Sequence, residues 1–319
     1  MEQRESAQSH KDARELAYGA ASGVVSGGRV VLAATPIGNT TDASARLVSL
    51  LETADIVAAE DTRRLFDLAR RLGVHVSGRV VAYHDHNERG KADSLLDDVD
   101  SGATVLVVSD AGMPTINDPG LAIVRRAIER GLPVTCAPGP SAVLDALALS
   151  GLATDRFCYE GFVPRKHAER MKRLRSLAGE MRTIVFYETP HRIEETMHDL
   201  EVAFGGSRLM ALARELTKDY EEIRRGTIHD IHVGVVNNPP RGEIVLVIAG
   251  ATEDEALQAA GSVVLNVDEL AQLALDIADK QNMRIKEAIT KVVKDNPLPD
   301  GSFVSRKDVY ARVLDMKNE

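Results

Sequence analysis

The chain has 319 residues, of which 44% are hydrophobic and 27% charged, as in a globular protein with room for two domains. Its net charge of −9 argues against a non-specific grip on nucleic acid, because that grip comes mainly from Lys and Arg. The two cysteines, Cys136 and Cys158, are too few for a disulfide framework or a zinc site, and no apolar run is long enough to span a membrane. We therefore expect a cytoplasmic protein without a membrane segment.

Residues 1–27 carry acidic side chains and lack the apolar core of a secretory signal, so we expect a disordered tail. From residue 28 to 150, apolar β-branched segments alternate with amphipathic helical ones, which predicts an N-terminal α/β domain. One predicted helix places Ala43, Leu47, Leu50, Leu51 and Ala54 on one stripe, and the next, "DTRRLFDLARRLG", closes at Gly73. Near-continuous apolar strands separated by such helices predict a mostly parallel sheet covered on both faces.

The pattern changes near Gly151. Consecutive strand candidates with fewer helices between them, from "RFCYEGFVP" to "GEIVLVIAG", predict a mixed or antiparallel sheet and a second α/β domain over 151–250. Residues 251–319 are expected to form a linker, "ATEDEALQAAGS", followed by a small helical module. The predicted fold class is thus α/β with two domains and a helical C-terminal region.

Small, polar or Gly-Pro residues follow each predicted strand of the first domain. In parallel sheets, ligands collect beyond the carboxyl ends of the strands. Any one of these segments alone is typical of an ordinary turn. Five of them at one edge predict a binding site, and they are "TPIGN" (35–39), "EDTR" (60–63), "HDHN" (84–87), "SDAGMP" (109–114) and "APGPSA" (137–142).

A dinucleotide site is the first alternative, because Glu60 ends the second strand where a ribose-binding acid is expected. However, the first strand ends in a segment with one glycine, and Pro36 removes a backbone donor that a pyrophosphate needs. The sequence also lacks a P-loop motif. Asp110 can accept hydrogen bonds from a ribose or pair with an ammonium, and Gly112 and Gly139 let backbone approach closely. Adenosine with an amino-acid tail suits such a pocket better than a pyrophosphate.

These segments together with "PGPSA", "DRFCYEGF", "FYETPHR" and "ARELTK", in this order, resemble the small-subunit ribosomal RNA cytidine 2′-O-methyltransferases of the tetrapyrrole methylase superfamily. The similarity covers roughly residues 29 to 250. This sequence departs from the family pattern at Met113, where Thr is expected, and in its extra N-terminal tail. Its final helical region matches the family only loosely. The resemblance implies S-adenosylmethionine bound in a cleft between two α/β domains, a homodimer, and a cytidine in the decoding centre of 16S ribosomal RNA as the substrate.

The resemblance also implies positions for the cofactor contacts. In the first domain they fall on Ile37, Asp110, Met113, Ser141 and Ala142, and in the second on Tyr187, Ala213 and Gly242.

Methyl transfer to a ribose hydroxyl needs alignment and loss of a proton, and no metal is required. The candidate bases are Glu60, Asp61, His84, His86 and Glu215, and Lys218 beside a ribose hydroxyl would lower the pKa of that hydroxyl. A purely structural role stays open for some of these residues. Asp61 could instead be a helix N-cap, and Glu215 and Lys218 could form a salt-bridged edge of the core with Arg214. His84 and His86 alternate along a segment expected to be extended, so their side chains should point to opposite faces, which disfavours a metal.

For RNA contacts the sequence offers Arg63 and the segment "PRKH", with Arg165 and Lys166. Residues 160–182 hold seven basic and three acidic side chains, a local charge of +4, which is typical of either a solvated helix face or an RNA-facing edge. Three other functions stay open: a porphyrinoid C-methyltransferase, a catalytically silent ribosome-assembly factor and, less favoured, a nicotinamide oxidoreductase. Residues 281–319, with eight basic and six acidic side chains, do not decide a role for the helical module.

Overall fold

The computed structural model describes residues 27–261, 267–280, 283–296 and 303–318. The predicted N-terminal tail therefore lies, apart from Gly27, outside the described residues. The chain divides into two compact units between Ser141 and Ala142. Among the helices described, none is long and apolar enough to cross a membrane.

The first unit is built on a parallel five-stranded sheet, as predicted, in the order β3-β2-β4-β1-β5. Strand β4 is central and its apolar run is buried on both faces, which explains why it lacks an alternating pattern. The strands are β1 (Arg29–Ala33), β2 (Ile56–Ala59), β3 (Arg79–Ala82), β4 (Thr104–Val108) and β5 (Val134–Ala137), and the helices are α1 (Ala45–Thr53), α2 (Thr62–Leu72), α3 (Glu88–Asp100) and α4 (Leu121–Glu129), with a short 3₁₀ turn at Thr40–Asp42.

Helices cover both faces of this sheet. On one face Leu47 and Leu51 of α1 and Leu65 of α2 pack against alternate residues of β1, β2 and β4. On the other face Leu96 of α3 and Ile123 of α4 pack against the intervening residues. The predicted stripe of α1 is confirmed, since Leu47, Leu51 and Ala54 are buried and Ala43 and Leu50 pack against the same cluster. Helix α2 ends as predicted at Gly73, whose φ of 68° is left-handed.

The second unit contains a mixed five-stranded sheet in the order β6-β7-β10-β8-β9. Strand β6 runs parallel to β7, to which it is joined through a helix, and the other pairs are antiparallel, so the sheet is mixed as predicted. Helix α5 contacts β8, β9 and β10. The strands are β6 (Phe157–Phe162), β7 (Thr183–Glu188), β8 (Leu209–Arg214), β9 (Glu222–Thr227) and β10 (Ile244–Ile248), and the helices are α5 (Ala142–Ser150), α6 (His167–Ser176), α7 (Ile193–Phe204) and α8 (Ile228–Asn237).

The expected linker after Gly250 is instead a helix, α9 (Glu253–Gly261), and that prediction was wrong. Its start is a capping box: the Glu255 N–H donates to Thr252 Oγ1 at 3.2 Å, and the Thr252 N–H donates to Glu255 Oε2 at 2.8 Å. Ala, Leu and Gln downstream of this cap are good helix formers. The "T-x-x-E" signature was present in the sequence and was overlooked.

The remaining C-terminal helices are α10 (Val267–Lys280), α11 (Ile285–Asp295) and α12 (Arg306–Asn318). They share one apolar cluster, in which Leu270, Ile289, Val292 and Val309 are almost fully buried. The predicted helical module is therefore confirmed within the described residues.

Candidate functional site

The tips of the neighbouring strands β2 and β4 are joined by reciprocal hydrogen bonds. The Asp110 N–H donates to Glu60 Oε2 at 3.1 Å, and the Asp61 N–H donates to Asp110 Oδ1 at 3.1 Å. The pairing register places Ala59 beside Val108, so the residues that follow these strands emerge at the same level. The sheet thus brings together two of the predicted site residues, Glu60 and Asp110.

A second set of contacts joins the loop after β4 to the loop after β1. Thr35 and Gly112 form an antiparallel bridge, with N–H···O distances of 2.9 and 3.0 Å. Gly112 has a φ of 80°, which favours glycine, and a Cβ there would lie 3.7 Å from Ile37 Cγ2 and 3.9 Å from the Pro140 carbonyl oxygen. Three of the predicted strand-tip segments therefore converge around Gly112, and Ile37 lies among them.

The loop after β4 is held in an uncommon backbone conformation. Thr115 and Asn117 have φ values of 79° and 63°, which is unusual for a β-branched residue such as Thr115. The loop is fixed by hydrogen bonds from Thr115 N–H to the Pro119 carbonyl at 3.2 Å and from Gly120 N–H to Glu88 Oε2 at 2.9 Å. Such conformations persist where surrounding contacts enforce them, and they cluster at ligand sites. Met113 lies in this enforced loop.

The strand tips of the first unit carry several partly buried carboxyl groups. Burial raises the pKa of Glu60 against the opposing hydrogen bond from the Asp110 N–H, and it raises the pKa of Asp110 against the nearby Arg64 guanidinium. Burial, followed by the charge of Glu60, raises the pKa of Asp118 to about 7. Desolvated carboxyls at this density favour a cation or a hydrogen-bond donor as their ligand. Asp118 was not predicted as a site residue, although it lies in the loop after β4, four residues beyond the predicted segment "SDAGMP".

The segment around His84 and His86 is a turn, so the expectation of an extended segment was wrong. The Asn87 and Glu88 N–H groups donate to the His84 carbonyl at 2.8 and 2.9 Å. The two imidazole rings therefore lie near each other, with centroids 5.9 Å apart, instead of pointing to opposite faces. His84 Nε2 is 3.0 Å from Asn87 Nδ2. Within the described ranges, no group of three or more His, Cys, Asp or Glu is arranged to hold a metal ion.

Asp61 is the N-cap of α2, as one of the two alternatives predicted. Its Oδ1 accepts from the Arg63 N–H at 2.8 Å, and its Oδ2 pairs with Arg63 Nη2 at 2.8 Å. Hydrogen bonds from the Arg63 side chain and backbone lower the pKa of Asp61 to about 2. The Arg63 side chain is nevertheless 90% exposed, so the capping role leaves it at the surface beside the strand tips.

In the second unit, Glu215, Lys218 and Gly242 form one local structure. Lys218 Nζ lies 3.0 Å from Glu215 Oε1 and 3.2 Å from Glu243 Oε2, and the Glu243 N–H donates to Glu215 Oε1 at 2.9 Å. A Cβ at Gly242 would lie 2.2 Å from Glu215 Oε1, and Gly242 has a φ of 86°. Glu215 and Thr217 also have positive φ, 50° and 64°. The salt-bridged alternative therefore describes this edge.

The charges at this edge favour a cationic Lys218. Burial lowers the pKa of Lys218, but hydrogen bonds and charges from Glu215 and Glu243 outweigh burial and leave the pKa above its ordinary value. Burial raises the pKa of Glu215, but the Glu243 N–H and Lys218 outweigh it, so the pKa of that carboxyl is held below its ordinary value. Glu215 is consequently a poor proton acceptor here, whereas Lys218 can stabilise negative charge.

Tyr187 and Ala213 are aligned across the second sheet. Both pair with Val245 of β10, Tyr187 from β7 and Ala213 from β8, so the three side chains share one face. The Tyr187 ring also contacts Tyr159 and Phe162, with centroids 5.2 and 5.4 Å away. Ser141 is the last residue of the first unit, and Ala142 begins α5 in the second.

Arg165 and Lys166 precede α6 at the surface, beside an open groove of about 720 Å³. Lys166 Nζ pairs with Glu169 Oε1 at 3.1 Å. The groove is lined by residues from α6, α7, α8 and the turns beside them, including His167, His191, His198 and His232. This groove could not be predicted from the sequence, because these histidines are distant along the chain and the packing of the three helices brings them together.

Comparison with known proteins gives a consistent set of relatives. The family model of Tetrapyrrole (Corrin/Porphyrin) Methylases matches residues 29–232. A Mycobacterium tuberculosis protein named ribosomal RNA small subunit methyltransferase I is 43% identical over 295 residues, which are 92% of this chain and 98% of that protein. An Escherichia coli O157:H7 protein of the same name is 41% identical over 230 residues, covering 72% of this chain and 80% of that protein.

Solved structures show the same fold at low sequence identity. The methyltransferase CobJ superposes with a TM-score of 0.53 and 21% identity, covering 71% of this chain and 95% of its own. Diphthine synthase superposes with a TM-score of 0.52 and 14% identity, covering 72% and 93%. At these identities the likeness concerns the fold alone.

Proposed function

The chain belongs to the tetrapyrrole methylase family, and from that premise we propose that it methylates a cytidine 2′-oxygen of small-subunit ribosomal RNA with S-adenosylmethionine. The observation that carries the proposal is the 43% identity to a ribosomal RNA small subunit methyltransferase over 92% of the chain. Family membership alone supports methyl transfer; the similarity to this branch supports the ribosomal substrate. The decoding-centre cytidine follows from the sequence resemblance described above.

The strand tips of the first unit fit this cofactor. Its sulfonium and ammonium are cations and its ribose hydroxyls are donors, which complements the partly buried carboxyls of Glu60, Asp110 and Asp118. The bridge between Thr35 and Gly112 holds the loops after β1 and β4 side by side, and Ile37 supplies an apolar neighbour. We assign Ile37, Asp110, Met113 and Ser141 of this unit, with Ala142, Tyr187, Ala213 and Gly242 of the second, as the cofactor contacts.

When bound at the contacts assigned above, S-adenosylmethionine would supply an electrophilic methyl group on sulfur, with a neutral thioether as the leaving group. The protein must hold the ribose oxygen in line with that group, which contributes ~7–11 kcal/mol through alignment. It must also accept the hydroxyl proton, worth roughly 10²–10⁴-fold.

Among the candidate bases, Glu60 fits the proton transfer best. Burial raises the pKa of Glu60 above its ordinary value, so its carboxylate is a stronger proton acceptor than an ordinary one. Glu215 is instead held ionised by Lys218 and by the Glu243 N–H. We therefore propose Glu60 as the base, with His84 as the alternative on the neighbouring turn. Cationic Lys218 lowers the pKa of the ribose hydroxyl, and Arg63, Arg165 and Lys166 bind RNA phosphates.

The experiment that tests the proposal maps 2′-O-methylation in small subunits from a strain that lacks this protein. Loss of methylation at one decoding-centre cytidine, restored by the wild-type gene and by purified protein with S-adenosylmethionine, is the expected result. Unchanged methylation at that nucleotide would exclude the proposed substrate.

The family description, which names corrin and porphyrin methylases, also favours a porphyrinoid C-methyltransferase as a second candidate. Incubation with a uroporphyrinogen-type substrate separates the two, because RNA methylation predicts no methyl transfer to the macrocycle. Tight binding of the methyl donor without transfer to purified subunits would instead identify a silent assembly factor.

A further inference from the structure

Helix α2 concentrates positive charge on an acidic protein. Its sequence, "TRRLFDLARRL", holds four arginines and one aspartate, whereas the whole chain has a net charge of −9. Leu65 and Ala69 are buried against the sheet, so they account for the inward side of the helix. The arginines are therefore on surface that packing within the first unit does not use.

An aromatic side chain lies among these arginines. Arg63, Phe66 and Arg70 are spaced three and four residues apart, so they lie on one face of the helix. Phe66 is 52% exposed, and the Arg70 side chain is 76% exposed. We call this set, with Arg64 and Arg71 beside it, the α2 outer face. An exposed aromatic ring flanked by guanidinium groups is the combination that stacks an unpaired base and pairs with its phosphates.

The ion pairs of the α2 outer face do not prevent phosphate binding. Arg63 pairs with Asp61 and Arg70 with Asp67, and both arginine side chains are largely exposed. Exposed pairs of this kind add little to stability, so a phosphate can replace the carboxylate at little cost.

The α2 outer face also begins at the candidate site. Helix α2 starts at Thr62, directly after Glu60 and Asp61 at the strand tips, and Arg64 Nε lies 3.4 Å from Asp110 Oδ2. The eight residues from Arg63 to Arg70 span ~10 Å along the helix axis. A strand of RNA lying on this face would therefore enter the site at its carboxyl-rich rim.

We propose that the α2 outer face binds single-stranded RNA next to the nucleotide that is methylated, with Phe66 stacking on an unpaired base and Arg63 and Arg70 on the flanking phosphates. The inference rests on the proposed function, because it assigns the docking surface of the same substrate. It helps to explain how a protein of net negative charge binds RNA, because part of the affinity comes from one locally basic helix.

The test measures binding of the full-length protein to small subunits from a strain lacking it, over a series of salt concentrations. Phe66→Ala should weaken binding roughly 5- to 150-fold, the loss of one stacked base, and Phe66→Trp should restore it. The double variant Arg63→Gln with Arg70→Gln should reduce the slope of log affinity against log salt by about 1.4, the value for two single-strand phosphates. Affinity for S-adenosylmethionine should stay unchanged in both.

Helix α4 provides matched controls, because it lies on the opposite face of the same sheet. Ile128→Ala removes an apolar side chain that is 67% exposed, and Arg126→Gln removes an ion-paired arginine that is 48% exposed. Both should bind subunits with wild-type affinity and salt slope.

A photo-crosslinking phenylalanine analogue at position 66 identifies the partner. Adducts with ribosomal RNA are expected, and adducts with ribosomal protein alone would overturn the proposal. Wild-type affinity and salt slope for the Phe66 and arginine variants would also overturn the RNA-docking proposal. In that case, methylation of the subunits by the wild-type protein would leave the proposed function intact. Absence of methylation by the wild-type protein would count against the proposed function itself.

Discussion

Three carboxyl groups with raised pKa values, those of Glu60, Asp110 and Asp118, lie at the strand tips of the first unit. In each case burial is the largest cause, and nearby arginine offsets it only partly at Glu60 and Asp110. Groups of this kind destabilise the free protein when ionised and become favourable when a cation or donor binds. The same residues therefore link stability, pH and ligand binding.

Asp118 gives the clearest pH dependence. Its pKa is about 7 in the folded protein against 3.8 for an ordinary aspartic acid side chain. The folded state thus binds more protons between these values, so the contribution of Asp118 to stability is fully present below the unfolded pKa and is lost as pH rises through 7. We expect Asp118→Asn to raise Tm relative to wild type by more at pH 8 than at pH 5, measured by thermal unfolding without methyl donor. An equal shift in Tm at both pH values would show that Asp118 is ionised throughout.

Local signals in the sequence predicted individual residues well, whereas contacts between distant segments were not predictable. The Asp61 cap and the Gly73 helix end follow from the residue type at a single position. The hydrogen bond from the Asp110 N–H to the Glu60 carboxylate joins positions fifty residues apart and depends on strand order. The turn at His84 was misread because the apolar pattern of β3 does not reveal where the strand ends.

Among the elements, the loops that close β4 and β8 share an enforced backbone with positive φ at residues other than glycine. In the loop after β8 the conformation depends on a neighbour, since Glu215 occupies the space beside Gly242. Both loops follow motifs that the sequence analysis singled out, but the strain itself could not be predicted, because it is set by contacts on the far side of each loop. The capping box of α9 was, by contrast, a local signal and predictable.

Gly242→Ala tests whether that close approach holds the loop. Left-handed backbone costs an alanine about 1–2 kcal/mol, and at Gly242 a Cβ would in addition lie 2.2 Å from Glu215 Oε1. Gly73→Ala is the matched control, because Gly73 also has a left-handed φ, 68°, with no atom within 4 Å of an added Cβ. We expect urea unfolding to show a larger loss of stability for Gly242→Ala than for Gly73→Ala. Equal losses would mean that Glu215 moves away freely.

For the whole molecule, the alternation of strands and helices was sufficient to predict the fold class, including the parallel first sheet and the mixed second one. The division of the chain is subtler. Residues 142–150 were assigned by pattern to the first domain, yet the contacts of helix α5 are with β8, β9 and β10. An amphipathic pattern indicates that a helix packs on a sheet, but it does not specify which sheet. A cofactor cleft between the domains, and a homodimer, stay predictions of the resemblance.

Asp110, at the tip of the central strand, is the residue on which the proposed binding of the methyl donor depends most directly. Isothermal titration calorimetry of S-adenosylmethionine with wild type and Asp110→Asn tests this directly, since asparagine keeps an acceptor for the Asp61 N–H that Asp110 binds at 3.1 Å. Asp93→Asn, which removes an exposed carboxyl on α3, is the control. We predict micromolar or tighter binding by wild type and control, and affinity roughly 10- to 150-fold weaker for Asp110→Asn, the loss of a charge-assisted hydrogen bond. Equal affinity for all three proteins, or no binding by wild type, would contradict the role of Asp110 as a ligand of S-adenosylmethionine.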